Sequence, residues 1–221
     1  MKVSSLLRTV ARGSSLAGTI LQAMADHAWR SATTGMPLAE RAAWLHRWCK
    51  TCLRRLGVEC DCNGVPPRNT LLVANHLSYL DVLVFSAITP CIFVAKKEVV
   101  GWPVFGSMAR LSGTIFVDRR RRADVHRVAE QMAEAARAGV TVVVFPEGGS
   151  SNGRDVLPFY SSLLEPAVEL QLPVTPAHIS YTLRDGNPET DICYWGDMTL
   201  APHLARLLSR HGVRPRIRFG Q

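Results

Sequence analysis

The sequence predicts an α/β fold, a mixed sheet covered by helices and preceded by amphipathic helices at the N-terminus. Three observations predict it. Short apolar, β-branched runs alternate with helical patterns along most of the chain, which is the signature of a sheet with helices on its faces. Polar, glycine-containing motifs follow those runs directly, at the strand ends where α/β sheets place their sites. The composition is globular, with 47% hydrophobic and 20% charged residues in a 221-residue chain, enough for one domain with its own core.

The N-terminus carries Lys2, Arg8 and Arg12 ahead of a mildly apolar stretch, and Ala23-Met24-Ala25 resembles a signal-peptidase site. The intervening Ser14–Gln22 holds two Ser, a Thr and a Gly, a poor signal core. The uncharged run from Gly13 to Ala25 is 13 residues, too short to span about 30 Å of hydrocarbon. An uncleaved segment on the cytoplasmic side of a membrane is therefore expected, with a weak signal peptide as the alternative.

Residues 37–57 give the clearest helix, with Pro37 near its start and Gly57 at its end. Leu38, Ala42, Leu45, Trp48/Cys49, Cys52/Leu53 and Leu56 recur at three- and four-residue steps and form one apolar face. Arg41, Arg47, Lys50, Arg54 and Arg55 carry charge, and Trp44 and Trp48 stand one turn apart. A basic amphipathic helix with tryptophan suits a membrane interface, with Trp44 or Trp48 meeting the lipid. The pattern is equally compatible with a helix packed on the domain, its arginines in solvent. Strands are then predicted at 70–74, 91–95, 113–117, 140–145 and 174–179, with a last one at 216–221 and helices at 80–88 and 123–138. No internal repeat or long linker appears. Residues 1–60 read as a membrane-associated helical segment and 61–221 as a catalytic domain.

Lys plus Arg number 26 against 18 acidic residues, a formal net charge of +8. Such a surplus implies an anionic partner: nucleic acid, an anionic membrane, or a phosphorylated or thioester-nucleotide substrate. Six cysteines stand at 49, 52, 60, 62, 91 and 193. Cys49-x-x-Cys52 and Cys60-x-Cys62 admit a zinc reading, but structural zinc pairs usually come as two C-x-x-C knuckles with a longer loop between. Reduced, half-buried thiols are the expectation.

The sharpest chemical signal is Asn75-His76-Leu77-Ser78-Tyr79-Leu80-Asp81, directly after a buried strand. A turn after the strand can return the Asp81 carboxylate to one nitrogen of the His76 ring and fix its tautomer, leaving the other to take a proton from a hydroxyl. A second motif, Phe145 to Gly153, also follows an apolar strand. Gly148 and Gly149 let backbone approach a ligand and expose N–H groups. A third, Gly113 to Arg119, continues into Arg120, Arg121 and Arg122. Arginine binds phosphate bidentately, and Arg119 alone of the run sits at the strand end.

These blocks together resemble the glycerolipid acyltransferases of the lysophosphatidic acid acyltransferase type. The resemblance runs in order from Asn-His-x-Ser-x-x-Asp through Ala95-Lys96-Lys97-Glu98, Pro103-x-Phe105-Gly106, Gly113–Arg119 and Phe145-Pro146-Glu147-Gly148 to Leu172-Pro173-Val174-x-Pro176, over roughly residues 70–180. It implies an α/β catalytic domain docked on the bilayer by N-terminal helices. It implies acyl-CoA or acyl-carrier protein as donor, no cofactor or metal, and no covalent acyl-enzyme. His76 and Asp81 would be catalytic. Asn75, Lys96, Arg119, Glu147, Gly148, Gly149 and Arg154 would bind substrates. One departure bears on the acceptor. The family usually reads Glu-Gly-Thr-Arg in the block where this chain has Gly149 and Ser150, and that Arg is associated with the acceptor phosphate. Arg119 and Arg154 are then left to hold a phosphate, with 1-acyl-sn-glycerol-3-phosphate as acceptor. The alternative is an acceptor without phosphate, such as a lyso-ornithine lipid.

Two rivals remain at this stage. Gly149-Ser150-Ser151-Asn152-Gly153 matches the G-x-S-x-G elbow of serine hydrolases, with Asp185 or Asp197 and then His203 or His211 downstream. Five residues separate Phe145 from Ser151, however, and an elbow turns directly from strand to helix. A non-enzymatic binder of membrane or nucleic acid would explain the charge. It would leave His76 and Asp81 unexplained, and no nucleic-acid module is recognisable.

Overall fold

The architecture follows from where apolar side chains recur. The computed structural model describes residues 3–66, 68–118 and 123–220; Lys2 and the Arg119–Arg122 run, on which part of the sequence reading rests, lie outside the described residues. Elements run α1 (Val3–Thr34), α2 (Leu38–Leu56), β1 (Asp61–Asn63), β2 (Leu71–Ala74), α3 (Leu80–Ile88), β3 (Cys91–Lys96), α4 (Phe105–Ser112), β4 (Ile115–Val117), α5 (Ala123–Arg137), β5 (Thr141–Val144), α6 (Glu165–Glu169), β6 (Val174–Thr182), α7 (Pro188–Asp191), α8 (Leu200–Ser209) and β7 (Arg214–Phe219). Among the described residues seven strands form one sheet in the order β1-β7-β6-β2-β5-β3-β4. All neighbours are parallel except β6 and β7. The predicted mixed sheet covered by helices is the observed one. Short β1 and the helices α4, α6, α7 and α8 were not read from the sequence; β1, α6 and α7 span too few residues to display a period.

The central strands β2 and β5 are buried almost throughout, which is why their sequences, Leu-Leu-Val-Ala and Thr-Val-Val-Val, are continuous apolar runs rather than alternating ones. One core cluster gathers Leu72, Phe93, Val143 and Phe145 with Trp44, Leu45, Cys49 and Leu53 of α2 and with Val84 and Phe85 of α3. A second gathers Leu71, Ile92, Val142 and Val144 with Val128, Met132 and Ala135 of α5.

The interfacial placement of α2 is corrected. Trp44 is fully buried and its indole N–H donates to the Ala23 carbonyl of α1 at 3.0 Å. Trp48 donates to Asp26 at 2.8 Å. The apolar face of α2 therefore belongs to the core, and α2 in turn holds α1. The helix ends where Gly57 adopts φ 69°, a left-handed cap that glycine reaches without steric cost. Apolar surface is left open on α1, as it is at Val156 and Phe159 of the loop after β5: Leu6, Leu7, Val10, Leu21, Met24 and Trp29 are all exposed and fall within an arc of about 140° at 3.6 residues per turn. Arg8 and Arg12 of the N-terminal segment bond the carbonyls of Ser209, Leu208 and Arg210, which end α8, a favourable place for cations. No helix among the described residues is long and apolar enough to cross a membrane.

The Pro103–Gly106 block has a packing explanation. A Cβ at Gly106 would lie 2.2 Å from the Val100 carbonyl oxygen, so only glycine lets the start of α4 approach this backbone.

Candidate active site

The site grows from the carboxyl end of β2. That strand stops at Ala74, and the next residue continues its pairing with a side chain. The Asn75 carboxamide donates to the Ile179 carbonyl at 3.0 Å and accepts from the Ile179 N–H at 2.8 Å, as a further backbone residue would. Both polar ends of Asn75 are thereby committed to the longer strand β6.

His76 follows, and the chain turns so that Asp81 comes back in the first turn of α3. Oδ2 of Asp81 accepts from His76 Nδ1 at 2.8 Å, from the Leu77 N–H at 2.7 Å and from the Ser78 N–H at 3.0 Å. Oδ1 accepts from the Tyr181 hydroxyl at 2.5 Å. Asp81 has no exposed surface; four donors stand around its carboxylate in place of water. The acceptor-only carboxylate requires that His76 Nδ1 carry the proton. Nε2 then presents a lone pair, and no partner occupies it among the described residues. The His76 side chain is 19% exposed and stacks on Phe145 with centroids 4.0 Å apart and planes 11° from parallel. Carboxylate and phenyl ring together fix the imidazole in rotation and tilt.

The loop after β5 packs alongside. Its Ser151 N–H bonds the His76 carbonyl at 2.9 Å. Gly148 adopts φ 69°. Lys96, exposed at the end of β3, places its Nζ 3.8 Å from where a Cβ of Gly149 would stand. A positive charge thus overhangs the glycine backbone. Glu147 is buried, its Oε2 accepting from the Leu157 N–H at 3.0 Å, which orders the following loop. The Ser150 hydroxyl donates to the Tyr194 carbonyl, and the Tyr194 N–H donates to Leu77 O at 2.8 Å, so residue 194 clamps both motifs. Arg154 lies in a two-pronged pair with Glu189 at 3.0 and 2.7 Å; its guanidinium is engaged there and not at Ser150. Arg119 is outside the described residues.

The hydrolase constellation does not assemble. Ser151 Oγ accepts from the Gly153 N–H, and none of the described imidazoles bonds it. His203 is buried, with Nε2 bonded to the Cys193 carbonyl at 3.0 Å and Nδ1 to the Tyr79 hydroxyl at 2.9 Å. Desolvation lowers its pKa, consistent with a neutral ring that donates from Nε2 and accepts at Nδ1. Asp185 bonds the His211 backbone N–H. As for the thiols, Cys49 and Cys52 are buried on α2 whereas Cys60 and Cys62 are exposed at β1, and all six cysteines are free.

Sequence reasoning missed Tyr181, Tyr194 and the stacking role of Phe145. Tyr181 had a signal: it follows Ile179 by two residues, hence shares its face if the predicted strand runs on.

Sheet and cluster together define an α/β enzyme with an imidazole and a carboxylate paired at a strand's carboxyl end. Residues 59–180 match the family model described as Acyltransferase. The chain is 35% identical over 211 residues to the lyso-ornithine lipid O-acyltransferase of Pseudomonas aeruginosa, covering 91% of this chain and 80% of that one. It is 33% identical over 153 residues to the 1-acyl-sn-glycerol-3-phosphate acyltransferase of Neisseria meningitidis, covering 69% and 60%. Its fold superposes on the crystal structure of the 1-acyl-sn-glycerophosphate acyltransferase of Thermotoga maritima with a TM-score of 0.70 at 23% identity, covering 98% of this chain and 85% of that one. The chain belongs to the acyltransferase family.

Proposed function

We propose that this acyltransferase moves a fatty acyl group from a thioester, acyl-CoA or acyl-carrier protein, to the free hydroxyl of a lysolipid at a membrane surface, on its cytoplasmic face. The observation that carries the reading is the His76–Asp81 pair, whose Nδ1–Oδ2 bond directs Nε2 away from the carboxylate. Nε2 takes the hydroxyl proton as the acceptor oxygen attacks the thioester carbonyl carbon; the C–S bond then breaks, and the imidazolium returns the proton to the departing sulfur. Asp81 steadies the imidazolium between those steps. Lys96, overhanging Gly149 on the loop whose Ser151 N–H bonds the His76 carbonyl, is suited to a donor phosphate or to charge developing on the carbonyl oxygen.

For the acceptor, a lyso-ornithine lipid is the better supported head group. Arg154, one of the two arginines left to hold a phosphate, is engaged with Glu189, and the Pseudomonas relative carries that activity in its name. An ornithine head bears an amine and a carboxylate, so it demands less fixed positive charge than a phosphate. The Neisseria relative supports the second reading, 1-acyl-sn-glycerol-3-phosphate. Radiolabelled acyl-CoA offered with each acceptor decides between them. Lyso-ornithine lipid should give a kcat/KM at least roughly tenfold higher, a difference of about 1.4 kcal/mol. A preference for the phosphate acceptor, raised in KM by Arg119→Ala, would assign the phosphate to Arg119 instead.

The α1 stripe supports peripheral membrane binding, and the net charge of +8 favours an anionic surface, where each nearby Lys or Arg adds about 1 kcal/mol. Trp29, 71% exposed within the stripe, should shift its emission to the blue on adding anionic vesicles, and salt should reverse part of the shift. Trp29→Phe should remove most of the change, since Trp29 is the tryptophan within the stripe, Trp44 is buried, and the indoles of Trp48 and Trp195 are bonded to Asp26 and the Glu189 carbonyl. An emission spectrum indifferent to vesicles would remove the docking assignment.

A further inference from the structure

We infer that Tyr181 is a positioning residue for proton transfer at His76, an assignment that rests on the proposed role of that histidine. The argument starts from strand length. β2 has four residues and β6 has nine, and their pairing ends at Ala74 and Ala177. Beyond that point β6 runs on, held on one side by the Asn75 carboxamide at Ile179 and on the other by β7, where Tyr181 pairs with Pro215. The overrun carries Tyr181 beneath the first turn of α3 and brings its hydroxyl to Asp81 Oδ1.

The two oxygens of Asp81 are thus divided. Oδ2 is shared by His76 and two backbone N–H groups, while Oδ1 has the Tyr181 hydroxyl as its described donor. Without that hydroxyl Oδ1 would lose its described donor in a place water does not reach, and the carboxylate would be held through Oδ2 alone, by His76 and the Leu77 and Ser78 N–H groups. The phenol keeps its proton: burial first, then the charge of Asp81, raises its pKa well above the ordinary value. It is therefore a permanent donor that draws charge from the carboxylate, and so tempers how strongly Asp81 stabilises the imidazolium.

Tyr181→Phe keeps the ring and removes the donor. Asp81 then holds more charge against His76, and the imidazolium is favoured. The base must be neutral to work, so a raised His76 pKa moves the acidic limb of kcat/KM to higher pH. A hydrogen bond of ordinary strength corresponds to a shift of about 0.5–1 pH unit, and loss of alignment should lower kcat roughly ten- to a hundredfold. The other groups facing Tyr181 are the Cys60 and Cys193 thiols; desolvation raises both, Cys193 to about 12, so neither titrates in the range measured.

The deciding measurement needs no lipid substrate. The pH dependence of His76 labelling by diethyl pyrocarbonate, followed by peptide mass spectrometry, gives its midpoint in the full chain and in Tyr181→Phe. The expected result is an upward shift in the variant. 3-Fluorotyrosine at position 181 preserves the packing and strengthens the donor, so it should move the midpoint down; it also serves if the Phe variant fails to fold. An unchanged midpoint in a folded Phe variant, or in the fluorotyrosine protein, overturns the inference. Should the wild type acylate no lysolipid, the function proposed above fails, while the labelling experiment still judges Tyr181.

Discussion

His76→Ala should abolish nearly all acyl transfer while leaving the protein folded. A positioned general base is typically worth 10²–10⁴-fold, and the variant should fall by at least that range in kcat/KM with its circular dichroism unchanged. The fold should survive because Asp81 retains three donors, the Leu77 and Ser78 N–H groups and the Tyr181 hydroxyl. No buried carboxylate is stranded. Ser78→Ala is the control. Ser78 is fully buried and its Oγ accepts from the Leu80 N–H at 3.3 Å, so its loss removes a weak cap worth about 1 kcal/mol and should leave turnover close to native. Near-native turnover in His76→Ala, measured with labelled acyl-CoA, would falsify the proton-transfer mechanism.

Asp81→Asn should be nearly as damaging, for a different reason. The amide matches the carboxylate in size, and its oxygen can still face His76 and the backbone donors while its NH₂ faces Tyr181. What disappears is the negative charge beside the imidazole. A neutral partner cannot steady the imidazolium, and the comparable substitution in serine proteases costs about 10⁴-fold; a loss of about 10²–10⁴-fold is expected here. The pH profile gives the sign. Removing a negative charge lowers the His76 pKa, so the acidic limb should move to lower pH, opposite to Tyr181→Phe. A rate profile unchanged in both height and limb would show that Asp81 serves only to shape the turn.

Most of the sheet was legible because its central strands β2, β3 and β5 are buried almost throughout and so read as short apolar runs bounded by turn residues. The His76–Asp81 pair was legible because a polar run follows five apolar residues. Other features were hidden by the kind of information they need. Both Trp44 and Trp29 are indoles on amphipathic helices, and only the packing of α1 against α2 shows which one is buried. Tyr181 lies one hundred residues from its partner, beyond any local period. Arg154 looked available in sequence, because the carboxylate that engages it comes from residue 189.

The sheet order also dictates when the enzyme can become whole. β1 pairs with β7 across the span from Asp61 to Arg216, and β2 is covered on one side by β6, about a hundred residues later. As the chain leaves the ribosome, the His76 turn emerges long before the strand that braces it. Until β6 and β7 arrive, β2 presents an open, apolar edge able to pair with another chain. Such distant pairings must be closed against chain entropy before they are rewarded, which makes folding slow. The most aggregation-prone moment of this protein therefore falls before β6 emerges, and the Leu172–Pro176 block that opens β6 ends it by covering β2, with β7 then closing the sheet.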